Sequence, residues 1–290
     1  MHDCIKKTAM RPNSELSGMS VRDFRLFSSL IKDNCGIRMP ESKKFMLESR
    51  LRKRLRQLEF ESFRDYYDYL TSPTGIKTEL VNMIDVVTTN KTDFFRESAH
   101  FSYLVDSLLP GIPTTELFNG IRIWSAGCSS GEEPYTLAMV LSEYSRTRQE
   151  FSYSILATDI CTTVLESARL GIYEEEKIAP IPLELKKRYL LRSKDKSRRV
   201  VRVCPELRSR ISFQRLNLME ETFDIGQPVR IIFCRNVIIY FDRQTQEKLL
   251  NRFCSYLVPG GYLFLGHSET LNGLDVPLVQ VNSTIYQKPA

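Results

Sequence analysis

The sequence predicts an α/β protein: a Rossmann-like, doubly wound sheet with a small inserted β-subdomain, preceded by an all-α N-terminal domain. Three observations predict it. Residues 20–91 carry helical periodicity with no strand pattern. Ile121 to Met139 reads as strand, glycine turn and amphipathic helix, the nucleotide-binding corner of such a sheet. From Tyr153 to Gln287 short apolar strands alternate with helices, interrupted once, at about residues 174–211.

Residues 1–19 read as a flexible tail without the apolar region of a signal peptide. Ser20 can cap a helix in which Phe24, Phe27, Leu30 and Ile31 recur at helical spacing, and Gly36 ends it. After Pro40 a second helix, KKFMLESRLRKRLRQLEF, places Leu47, Leu51, Leu55 and Leu58 on one stripe. Arg52, Lys53 and Arg56 fall opposite, and Arg50 and Arg54 flank the stripe. A third helix spans Phe63 to Leu70 and is stopped by Ser72-Pro73-Thr74-Gly75; a fourth runs from about Lys77 to Val87. The basic face reads either as solvated surface or as a docking surface for an acidic protein. Nucleic acid is the poorer fit, because interleaved aromatics and helix-turn-helix patterns are missing.

A polar knot, Thr88 to Thr92, leads to Asp93-Phe94-Phe95-Arg96. Asp93 is placed to cap the next helix, the phenylalanines belong to the core, and Arg96 projects from the first turn. The α/β domain is then expected over residues 92–290. Ile121, Ile123 and Trp124 make its first strand, and Gly127 and Gly131 bracket the turn. Glu132-Glu133-Pro134 opens the helix, where acids and proline suit the first turn.

A second strand, Tyr153 to Ala157, runs into Asp159, at the strand end where one carboxylate can accept from both hydroxyls of a ribose. The helix after it ends at Gly171. The insertion holds a charged helical piece (183–191), a Lys/Arg-rich turn and the strand Val200 to Val203, read as an exposed sheet edge. Ile211 to Leu218 resumes the sheet, Val229 to Cys234 is a buried strand, and a helix follows from Thr245 to Leu257. The strand Tyr262–Gly266 and a hairpin around Asn282-Ser283 close the chain.

At 290 residues two units are expected, and 42% apolar content suffices for packed cores. No apolar run approaches the roughly 20 residues needed to span a bilayer. Seven scattered cysteines without C-x-x-C read as reduced thiols of a cytoplasmic protein. Only three histidines, His2, His100 and His267, occur, so no zinc or other metal site is expected.

The G-x-x-x-G spacing differs from the G-x-G-x-x-G of a pyrophosphate site, and Glu132 and Glu133 would repel a phosphate. A ligand with a sulfonium, an amino group and no phosphate suits them: S-adenosylmethionine. The glycines alone are equally consistent with a plain tight turn.

Thr88 to Arg96 (T-x-N-x-T-x-F-F-R), Ser129 to Tyr135 (S-x-G-E-E-P-Y), Asp159, Asn217-Leu218, Phe233 to Phe241 (F-C-R-N-V-x-I-Y-F) and Pro259 to Glu269 (P-G-G-Y-L-F-L-G-H-S-E), in this order, closely resemble CheR-type chemotaxis receptor methyltransferases. The resemblance covers about residues 20–288. It implies a class I S-adenosylmethionine-dependent domain that converts receptor glutamates to glutamyl methyl esters, releasing S-adenosylhomocysteine. It places the cofactor against Asn90, Thr92, Arg96, Glu133, Asp159, Asn217, Leu218, Arg235 and Asn236, with Gly127 in the turn. Arg96 and Tyr240 stand beside methyl transfer. The Phe-Asp pair common before the fourth strand is Val229-Arg230 here. The implied partners are the cytoplasmic helices of methyl-accepting receptors, docking on Arg50, Arg52, Lys53, Arg54 and Arg56. A receptor C-terminal peptide adding as a strand to the β-subdomain is a further implied partner. A monomer without membrane insertion is expected. A nicotinamide dehydrogenase and a non-catalytic binding protein are the rival classes.

Overall fold

The computed structural model describes residues 17–148, 151–195 and 197–290, so most of the expected tail lies outside the described residues. The chain divides into two compact units. One comprises residues up to Lys32 with Met39–Val87, the other Asp33–Arg38 with Thr88–Ala290.

The first unit is helical: α1 (Val21–Cys35, whose last turn belongs to the second unit), α2 (Lys44–Gln57), α3 (Phe63–Leu70), α4 (Pro73–Thr78) and α5 (Leu80–Val87). Leu47, Leu51 and Leu55 are fully buried with Phe27 and Tyr66, whereas Leu58, just past the end of α2, is exposed. The stretch expected to stop α3 instead starts α4. Ser72 Oγ accepts from the Gly75 amide and Pro73 fills the first turn. Gly75 is sterically required, since a Cβ there would sit 1.9 Å from the Tyr69 carbonyl oxygen.

The basic helix needs a correction. Arg54 does not offer its charge to a partner: it donates to buried Glu79 at 2.6 and 2.8 Å, and Tyr66 and Asn82 complete that cage. Arg50 donates to the Val87 carbonyl, and Arg52 pairs with Glu48 at 2.6 Å. Lys53 and Arg56 are exposed.

The second unit contains, in chain order, α6 (Ala99–Tyr103), α7 (Thr114–Asn119), β1 (Ile121–Ala126), α8 (Glu132–Thr147), β2 (Tyr153–Asp159) and α9 (Thr162–Leu170). There follow β3 (Ile172–Glu174), α10 (Leu183–Tyr189), β4 (Leu190–Arg192), β5 (Val200–Val203), α11 (Pro205–Arg208) and β6 (Ile211–Arg215). It ends with β7 (Val229–Cys234), α12 (Arg243–Tyr256), β8 (Leu257–Leu265), β9 (Val279–Asn282) and β10 (Ile285–Gln287). The main sheet runs β6-β2-β1-β7-β8-β10-β9, parallel through β8 and antiparallel beyond it. Adjacent β1 residues feed opposite layers: Ile123 packs with Tyr135 of α8, while Trp124 packs edge-on against Phe253 of α12. The chain leaves β1 towards β2 and β6, then returns to β7 on the other side. The switch point therefore lies between β1 and β7, where an open α/β sheet binds its ligand.

Two further expectations change. Helix α6 starts at Ala99, not near Asp93, because Phe95 and Glu97 adopt left-handed backbone (φ 55° at each). Arg96 thus sits in a bend, while Phe94 is core as expected. The small sheet has the order β3-β5-β4 and starts at Ile172. Val200–Val203 is its central strand, paired on both sides, and offers no edge.

Candidate active site

The strand-end positions converge at the switch point. Gly127, just past β1, has φ 87°, and a Cβ there would sit 2.5 Å from Val237 Cγ2, just past β7. The two strand ends therefore approach more closely than any side chain at residue 127 permits. Ser129 (φ 49°) and Gly131 (φ 97°) continue the turn into α8.

Asp159 ends β2 beneath this turn. Its Oδ2 accepts the Ser129 amide at 2.8 Å and its Oδ1 the Cys161 amide at 2.9 Å. Ser129 Oγ donates to the Asn90 carbonyl at 2.8 Å, tying the polar knot to the glycine turn. Asn217 and Leu218 follow β6, whose exit is joined to Asp159 by the Leu216 amide on the Asp159 carbonyl at 3.0 Å. The Asn217 amide group reaches the Asn34 carbonyl at 2.6 Å, so part of its hydrogen-bonding capacity is structural.

On the β7 side, Arg235 is buried and bridges two acids. Its Nη1 lies 3.1 Å from Glu133 Oε2 and its Nη2 3.0 Å from Glu97 Oε2. The same guanidinium donates to the Arg96 carbonyl. Glu133 also accepts from Ser125 Oγ at 2.7 Å. Burial pushes the Glu133 carboxyl above its ordinary range, against the pull of Arg235. At Glu97 burial also pushes upward, but the charge and hydrogen bonds of Arg235 outweigh it and hold the carboxyl low. Asn236 donates to Glu97 Oε1 at 3.3 Å. Arg96 itself is half-buried, with Nη1 on the Lys91 carbonyl at 3.1 Å. Tyr240 ends a single 3₁₀ turn (Ile238–Tyr240), and its carbonyl accepts the Arg38 amide at 2.8 Å. Thr92, the last residue of the polar knot, is half-buried. Glu132, expected at the mouth, is fully buried, accepting from Ser130 Oγ and lying 3.5 Å from Lys177 Nζ.

Two functional-site residues escape sequence reasoning. Glu97 organises Arg235, Asn236 and the His267 amide. Glu269 is buried and takes the amides of Asn236, Ile239 and Gly266 at 2.8, 3.3 and 2.6 Å, fixing the Arg235–Tyr240 turn. The E that closes G-H-S-E was the only signal for Glu269.

The donor set fits S-adenosylmethionine. A side-chain-free turn lies against β7, one carboxylate, Asp159, stands at the end of β2, and a second, Glu133, lies deeper beside β1. Fold and site together define an S-adenosylmethionine-dependent methyltransferase. Comparison with known proteins makes the assignment specific. The family described as CheR methyltransferase, SAM binding domain, matches residues 90–287, and CheR methyltransferase, all-alpha domain, matches residues 22–88. A chemotaxis protein methyltransferase of Borreliella burgdorferi is 45% identical over 84% of this chain and 86% of its own. Those of Pseudomonas aeruginosa (number 2) and Escherichia coli are 39% and 36% identical. They cover 91% and 98% of this chain, and 92% and 96% of their own. The chain belongs to the CheR methyltransferase family.

Proposed function

We propose that this enzyme methylates glutamate side-chain carboxylates on the cytoplasmic helices of methyl-accepting chemotaxis receptors. S-adenosylmethionine, when bound, supplies an electrophilic methyl on a sulfonium leaving group. A glutamate is already ionised near neutral pH, so neither a general base nor a Lewis acid is needed, and positioning carries the catalysis. Asp159 accepts from the ribose hydroxyls and Glu133 from the ammonium end. Asn90, Thr92, Asn217, Leu218 and Asn236 complete the binding walls, and Arg235 opposes the rise that burial imposes on the Glu133 carboxyl. Arg96 holds the incoming carboxylate as a forked donor, and Tyr240 donates one hydrogen bond beside the transfer path.

The observation that supports this reading most is the pair of carboxylates, Asp159 and Glu133, on either side of a glycine turn at the switch point. No helix among the described residues is long and apolar enough to cross a membrane. We place the reaction in the cytoplasm, where receptor signalling helices lie. Two measurements test the assignment. Calorimetry should give binding of S-adenosylhomocysteine and none of NAD. Radiolabelled methyl transferred to a receptor fragment should be released by mild alkali, as esters are; label stable to alkali rules out glutamyl ester formation.

A further inference from the structure

We propose that Glu97, His100 and His267 form a binding site for a divalent d-block cation of the zinc class, contrary to what three scattered histidines suggest. Glu97 Oε2 lies 3.6 Å from His100 Nδ1 and 3.9 Å from His267 Nε2, and the three ligand-capable atoms all fall within 4.8 Å of one another. Tetrahedral zinc with bonds of about 2.0–2.2 Å needs ligand atoms about 3.3–3.6 Å apart. The Glu97–His100 pair already meets that. The exposed His267 ring can rotate to close the rest.

His100 is the independent observation. Its side chain is 3% exposed, and its Nδ1 has no hydrogen-bond partner among the described residues. Its Nε2 lies 2.9 Å from Thr284 Oγ1, a hydroxyl able to accept from an Nε2–H. With the proton on Nε2, the Nδ1 lone pair faces the Glu97 carboxylate oxygen at 3.6 Å, two acceptors with no proton between them. A cation bridging them removes the conflict. Thr284 supplies the outer hydrogen bond that fixes the tautomer and ring plane of metal-binding histidines. Arg235 opposes the cation, since its Nη2 is 3.0 Å from the same Glu97 oxygen. Affinity should therefore be micromolar, well short of that of a closed structural zinc site.

The test is titration of the metal-stripped full-length protein with zinc chloride by calorimetry, and with cobalt chloride by visible absorption. One equivalent should bind, and the cobalt spectrum should lack thiolate charge transfer. His267→Ala, at an exposed position, should weaken zinc about tenfold or more. His267→Cys should restore binding, and its cobalt spectrum should gain thiolate charge transfer. His100→Gln should abolish binding. If that variant does not fold, the two His267 variants decide alone. No binding heat, zinc affinity unchanged in His267→Ala, or a thiolate signature in the unsubstituted protein would each overturn the site.

Discussion

Arg235 Nη1 and Glu133 Oε2 meet at 3.1 Å behind the glycine turn, joining the strand-end of β7 to the first turn of α8. The pair spans the switch point, and its guanidinium is almost wholly removed from water. Such a pair is costly to break from one side, because the remaining carboxylates stay buried without a counter-charge.

Replacing Arg235 with Leu should therefore destabilise the protein by about 3–5 kcal/mol. The measurement is urea unfolding followed by circular dichroism. A loss under about 1 kcal/mol would mean that water or another cation already screens Glu97 and Glu133.

Much of the site is legible in sequence because its parts are local. Gly127, Glu133 and Asp159 follow from strand, turn and helix chemistry at fixed offsets. Glu97 and Glu269 fit no cap or alternation pattern, and their meaning lies in partners such as Arg235, 138 residues from Glu97. The order of the small sheet is hidden for a related reason. β3 and β4 are three residues each, too short to show alternation, so only pairing reveals that β5 sits between them. Arg54 resembles its exposed neighbours in sequence, yet Glu79, 25 residues on, turns it inward.

Asp159→Ala should weaken S-adenosylhomocysteine binding about tenfold to a hundredfold, by removing the acceptor for the ribose hydroxyls. It also strips the Ser129 and Cys161 amides of their acceptor, so a loss of thermal stability should accompany the weaker binding. Calorimetry on folded variant reads the first effect; equal affinity to the parent would remove Asp159 from the cofactor site.

Arg96→Ala and Tyr240→Phe should each lower kcat for methyl transfer at saturating S-adenosylmethionine, by roughly tenfold or more. Reading the rate at saturation separates chemistry from cofactor affinity, which Arg96→Ala also affects. Wild-type turnover in both variants would move the transfer site elsewhere.

On α2, charge reversal at Lys53 and Arg56 should raise the KM for receptor without changing cofactor affinity, and added salt should slow the parent enzyme at low receptor, since exposed charges are screened over ~10 Å at 0.1 M. Arg54→Ala should behave differently, unfolding the first unit more easily. Glu79 sharpens this contrast through pH. Burial raises its carboxyl, but hydrogen bonds from Arg54, Asn82 and Tyr66 bring it below the ordinary value of 4.5. A depressed carboxyl contributes stability that is present above the unfolded value and lost as pH falls through the folded one. Acid melts should therefore steepen below pH 4.5 in the parent and flatten in Glu79→Gln. Parallel acid melts would leave the cage without energetic weight.

Strand addition by a receptor tail must use an outer strand of the small sheet, and the backbone selects which amide. The Cys204 amide donates to the Tyr189 carbonyl and the Ser193 amide to the Val200 carbonyl, at 2.8 and 3.2 Å. In the β4–β5 register, Leu191 faces Arg202 and Arg192 faces Val201. Alternation then makes Leu191–Arg202 a hydrogen-bonded pair and turns the Arg192 amide and carbonyl outward. The β3 edge is followed by Glu175 and Glu176, which repel an acidic tail, whereas β4 carries Arg192 and leads to Lys194. Arg192→Pro should therefore abolish binding of a receptor's last few residues while leaving β4 paired to β5, because it removes only an outward donor. Fluorescence anisotropy of a labelled tail peptide, with methylation of a tail-less receptor fragment as the control, separates the two effects. Unchanged peptide affinity in Arg192→Pro would exclude β4 as the capturing edge, and absence of binding by the parent protein would leave Lys53 and Arg56 as the docking surface.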